Sequence, residues 1–121
     1  MDTPLLRAWL IAFAITLLVE LAVAVPLLAG GSHPVGYREA SLSRRIAAVC
    51  LAQLATHPSV WFIWPLLNLP RPAFLLVAES FVLLTEALIY RFSFERLSWS
   101  RCFAASALAN GASVLVGLWL R

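Results

Sequence analysis

Lysine is absent from this chain, and of its 121 residues only 12% are charged. Without lysine there can be no Schiff base and no serine-lysine dyad. The chain also has no Gly-x-Ser-x-Gly elbow and no His-Glu-x-x-His, which removes the commonest serine-hydrolase and zinc-protease arrangements. Its two cysteines, Cys50 and Cys102, lack the spacing of a zinc or redox motif and read as small packing residues. Because all nine basic side chains are arginines clustered near the ends of apolar runs, attraction to lipid headgroups accounts for the net charge of +3 without nucleic acid as a partner.

What the chain has in quantity is hydrocarbon. Hydrophobic residues make up 62% of it, gathered in four runs: Leu5 to Ala29, Ile46 to Leu67, Ala73 to Tyr90 and Cys102 to Leu120. Each is long enough, at a helical rise of ~1.5 Å per residue, to cross a hydrocarbon core of ~30 Å. The expected fold class is an all-α integral membrane protein, one bundle of four transmembrane helices over residues 1–121. Pro58 and Pro65 fall inside the second run and should kink it or end it early. The first run could also be read as a secretory signal, since Arg7 precedes it and Ala22-Val23-Ala24 supplies small residues. Its length and the presence of Glu20 argue for a membrane helix instead.

Arginine sets the expected orientation. Arg38, Arg44, Arg45, Arg91, Arg96 and Arg101 fall in or beside the first and third loops, against Arg7, Arg71 and Arg121 on the other side. The positive-inside rule then places those loops in the cytoplasm and both termini outside, in a membrane of the bacterial inner (plasma) type. Trp9, Trp61, Trp64 and Trp119 are expected at the outer boundary, with Tyr37, Tyr90 and Trp99 at the inner one.

The second half echoes the first. Residues 41–56, Ser-Leu-Ser-Arg-Arg-Ile-Ala-Ala onward, align with residues 98–113, Ser-Trp-Ser-Arg-Cys-Phe-Ala-Ala onward, with eight of sixteen positions identical. The preceding runs pair Pro4 with Pro70, Leu10 with Leu76 and Glu20 with Glu86. The first loop is then nine residues longer than the third, a difference that Gly30-Gly31-Ser32-His33-Pro34-Val35-Gly36 can absorb. Two helix hairpins in parallel orientation, related by a pseudo-two-fold axis along the membrane normal, are the expected arrangement.

Against the apolar background, Glu20, Glu79, Glu86 and His57 are the costly residues, and such groups usually face a protein interior or an aqueous cavity. In the third run, ten Leu, Ile, Val and Phe side chains favour insertion by roughly 3 to 6 kcal/mol while two carboxylates oppose it by roughly 5 to 7, so that helix needs polar partners, protonated carboxyls or both. Depth counted along the helices puts Glu20 and Glu86 in one inner layer with Gln53 and Asn110, and His57 with Glu79 in an outer one. Stripes at four-residue spacing, Ala8, Ala12, Thr16, Glu20 and Ala24 in the first run and the small residues Ala105, Ala109, Ser113 and Gly117 in the fourth, should let those helices approach closely.

Three functions are compatible with these residues. The first is a membrane protein that binds a proton, cation or polar solute for transport or sensing through Glu20, Gln53, His57, Glu79, Glu86 and Asn110, acting as a homo-oligomer or beside a partner. The second is an accessory subunit of a larger membrane complex. The third is a lipid-active enzyme using His57 and Glu79 for acid-base chemistry, with Ser80 and Ser113 the available hydroxyls. His57 and Glu79 are the candidate metal ligands, too few for a site by themselves; no cofactor is indicated.

Overall fold

A computed structural model describes residues 3–30 and 40–120. All regular structure among them is helical: α1 Thr3–Leu28, α2 Leu42–Pro58, a π-helical turn Ser59–Ile63, a 3-10 turn Trp64–Leu67, α3 Arg71–Ser93 and α4 Trp99–Trp119. Counting the two turns with α2, four helices are long and apolar enough to cross a membrane. Tyr37 and most of the glycine-rich first loop lie outside the described residues.

The helices begin earlier than the apolar runs because polar residues cap them. Ser41 Oγ accepts from the Arg44 amide at 3.2 Å, and Ser98 Oγ accepts from the Arg101 amide at 3.2 Å, each satisfying a first-turn N–H that has no helical partner. The Ser-x-Ser-Arg block common to both halves is therefore a helix start. α3 opens on Pro70 and Pro72, where a missing N–H costs nothing. Pro58 does not stop the second helix. It removes one N–H donor, and the chain widens into the π turn and then tightens into the 3-10 turn. Asn68, left-handed at φ 49°, ends it, a conformation that asparagine tolerates better than most residues.

The helices pack in the cyclic order α1, α2, α3, α4, with α4 closing against α1. The interior is small and polar: Ala24, Ala48, Ala52, Ala87, Ala105 and Ala109 are buried, while Leu18, Leu76, Leu84 and Leu115 face outward. Alanine at the contacts lets helix backbones come close, as in membrane bundles. The pattern is the reverse of a bundle in water, where large apolar side chains turn inward.

The apolar core occupies only the half of the bundle nearest the α1–α2 and α3–α4 connections, here the loop end. There Val25, Leu28, Val49, Tyr90, Phe94, Leu97 and Cys102 are all buried, whereas no residue of the π and 3-10 turns at the opposite, terminal end is. Tyr90 departs from the expected aromatic belt: it is fully buried, because helical spacing puts it one turn beyond Glu86 on the same inward face. Trp9 and Trp61 likewise turn toward His57, leaving Trp119, 83% exposed, as the outward-facing tryptophan of the terminal end.

The loop end is tied by arginines. Arg44 of α2 donates to the Ser93 carbonyl at the end of α3 at 2.8 Å, and Arg101 of α4 donates to the Leu27 carbonyl at the end of α1 at 2.9 Å. Arg45 adds a bond of 2.8 Å to the Val25 carbonyl. Each reaches a last-turn carbonyl, that of Leu27 also accepting from the Gly30 amide at 3.4 Å, and the cation complements the negative end of the helix dipole.

Candidate functional site

Just above the packed half, four helices contribute one polar side chain each to a buried cluster. Glu20 and Glu86 are fully buried and Gln53 is 1% exposed. The Gln53 amide stands between the two acids, its Nε2 donating to Glu20 Oε2 and, at 2.8 Å, to Glu86 Oε1. An amide nitrogen has two hydrogens, so this one is fully committed. Asn110 Nδ2 donates to Glu86 Oε2 at 2.7 Å. The four residues assigned to an inner layer thus meet.

Two further hydroxyls were not singled out by the sequence. Thr56 Oγ1 lies 3.3 Å from Glu86 Oε1 and Ser106 Oγ lies 3.2 Å from Glu86 Oε2. A usable signal existed in helical spacing, since Thr56 follows Gln53 by three and Ser106 precedes Asn110 by four, so each pair shares a face.

The two acids are unequally served. Glu86 receives donors from Gln53, Ser106 and Asn110, with the Thr56 hydroxyl beside it but bonded to the Ala52 carbonyl at 2.9 Å. Glu20 receives Gln53, has the Ser113 hydroxyl beside it, and has no partner at Oε1. A buried carboxylate oxygen without a donor is costly unless something else meets it. Glu20 lines a cavity of about 270 Å³ together with Thr16, Asn110, Ser113, His57 and Glu79. At ~30 Å³ per molecule that space holds roughly nine waters. Glu86 is not among its lining residues.

The outer pair shares this cavity without forming a unit. The His57 ring lies among Trp9, Phe13 and Trp61, with centroid distances of 6.3, 5.3 and 6.0 Å, and its Nδ1 has no hydrogen bond. Glu79, on the α3 flank, is exposed. No hydrogen bond joins the two, and among the described residues no three His, Cys, Asp or Glu side chains converge as a metal site would require. Ser113 donates to the Asn110 carbonyl at 2.9 Å, with the Glu20 carboxyl beside it, and Ser80 is exposed; neither hydroxyl is hydrogen-bonded to His57 among the described residues. The lipid-active enzyme reading finds no assembled nucleophile or acid-base pair among the described residues.

What the arrangement offers is a buried acid with one oxygen free of hydrogen bonds, bordering a cavity of mixed polar and apolar lining and held by an amide that also holds a second acid. Compared with protein families, with curated proteins and with solved structures, the chain matches none.

Proposed function

We propose that this chain is an integral membrane protein that binds a proton or a small cation at Glu20, reached through the cavity from the terminal end of the bundle. The observation that carries the reading is the unpartnered Oε1 of Glu20, a fully buried residue that borders a space large enough for water. Two carboxylates gripped by one amide repel each other when both are ionised. A proton or cation on the free oxygen removes one of the two charges and supplies the missing partner. Occupancy then governs Gln53, the one side chain hydrogen-bonded to both acids among the described residues, and through it the fit of α1 and α2 against α3.

Membrane insertion is supported by the inverted packing, with leucines outside and alanines and acids inside. Orientation follows the arginines: among the described residues Arg44, Arg45, Arg91, Arg96 and Arg101 gather at the loop end, against Arg7 and Arg71 at the terminal end. On the positive-inside rule the packed end faces the cytoplasm of a plasma-type membrane and the cavity opens outward.

Two parallel hairpins are the natural account of the reciprocal arginine bonds. The alignment pairs Arg44 with Arg101 and, carried on from Glu20 and Glu86, pairs Leu27 with Ser93. Arg44 to Ser93 and Arg101 to Leu27 are then the same contact made twice, and the two serine caps are another such pair. Aligned interior positions match in burial as well: Ala48 with Ala105, Ala52 with Ala109, Glu20 with Glu86.

The test is infrared difference spectroscopy on protein in lipid nanodiscs, after a pH step and after exchange of N-methylglucamine for sodium or potassium. The expected result is a carboxyl signal that disappears in Glu20→Gln and persists in Glu79→Gln. A signal indifferent to Glu20→Gln, or none under any condition, refutes the reading. The accessory-subunit alternative has one observation in its favour, the exposed Glu79 on the α3 flank.

A further inference from the structure

Glu79 precedes Glu86 by seven residues and so points to the same side of α3, yet it is exposed and takes part in no hydrogen bond among the described residues. It borders a groove of about 580 Å³ between α3 and α4, walled by Leu75, Leu83, Val114 and Leu115. Glu79, Asn110 and Val114 also line the cavity that reaches Glu20. Groove and cavity therefore lie on either side of these three residues, which form the wall between them.

The chemistry of the groove restricts its occupant. An aliphatic trough with a single carboxylate suits a molecule with an apolar body and a cationic head. A hydrocarbon tail alone leaves Glu79 unpaired, and an inorganic ion leaves the leucine walls unused. A second copy packed level with this one offers no arginine at that height, since its arginines stand toward the helix ends, and its His57 is turned in among Trp9, Phe13 and Trp61. Arg71, the nearest along α3, is eight residues or ~12 Å away.

We infer that the α3–α4 groove binds an amphiphilic cation, a single alkyl chain ending in an amine or quaternary ammonium, taken laterally from the bilayer with its head against Glu79 and its chain along Leu83 and Leu115. This deepens the Glu20 reading and rests on it in one respect: the head is held at the wall of that same cavity.

Gly111 supplies the means of testing it. It lines the groove, and a Cβ added there meets nothing within 4 Å, so a side chain at this position projects into open space. The probe is dodecyltrimethylammonium, measured by calorimetric titration into nanodiscs of zwitterionic lipid with empty discs subtracted. Saturable binding near one per chain is expected, weakened at least tenfold by Glu79→Gln and by Gly111→Phe, and unaffected by Gly111→Ala. Dodecyl maltoside, with the same tail and no charge, should show no saturable binding. The Glu20 infrared signal should survive Gly111→Phe, which separates failure of the groove from failure of the buried acid. Absence of saturable binding, or binding indifferent to both Glu79→Gln and Gly111→Phe, overturns the proposal. So does efficient disulfide cross-linking between copies through Leu115→Cys in a Cys50→Ser, Cys102→Ala background, which would show a second copy covering the groove.

Discussion

Replacing Gln53 with leucine keeps most of its volume and removes both bonds of the amide that joins the two acids. Hydrogen bonds to charged groups contribute about 1.5 to 3 kcal/mol each in soluble proteins, but interhelical bonds within membranes average ~0.6 and reach ~1.7. Two such bonds, one of them to Glu20, set the expected loss at about 2 kcal/mol, roughly thirtyfold in the folded-to-unfolded ratio. Asn110→Leu removes a single side-chain bond to Glu86, which keeps Gln53 and Ser106, and should cost about 0.5 to 1 kcal/mol. The assay is reversible unfolding in mixed micelles, followed by circular dichroism as the fraction of denaturing detergent rises. A double-mutant cycle completes it: in a Glu20→Leu background the cost of Gln53→Leu should fall to about 1 kcal/mol, since only the bond to Glu86 remains to be lost. If Asn110→Leu is the more damaging substitution, or if Gln53→Leu costs the same with and without the Glu20 carboxyl, the bridging role assigned to Gln53 is wrong.

The arginine ties predict a crossed pattern in amide hydrogen exchange: Arg44→Ala should speed exchange in the last turn of α3, and Arg101→Ala in the last turn of α1, each at a cost of about 0.3 to 1 kcal/mol. Acceleration confined to the mutated helix itself would contradict the contacts described. Ala52→Leu and Ala109→Leu insert bulk where there is no exposed surface and should each destabilise the bundle by about 1 to 3 kcal/mol, while Ala47→Leu on the exposed face of α2 should stay within about 0.5 in the same unfolding assay.

Helix number and the polar layer were legible in the sequence for a simple reason. An acid among leucines has few places to go, and counting at 1.5 Å per residue puts Glu20, Gln53, Glu86 and Asn110 at one height. Helix starts were read late, at Ile46 and Cys102 instead of Leu42 and Trp99, because hydropathy marks where apolar residues begin and capping serines sit a turn before that. Tyr90 and Trp9 were assigned to interfaces by residue type, whereas their positions on inward helical faces decided the matter. The contrast between Glu20 and Glu79 was beyond any count of depth. It depends on which neighbours close over each side chain, and that is set by packing at the loop end and by the π turn that follows Pro58.

Gln53 and Asn110 occupy aligned positions and differ by one methylene. The longer amide spans both acids while the shorter one bonds Glu86 alone. Ser106 adds a donor on the Glu86 side where the aligned residue, Val49, has none to give. Two aligned glutamates thus end in unlike surroundings, and the difference traces to an amide one carbon longer and to a serine whose counterpart is a valine.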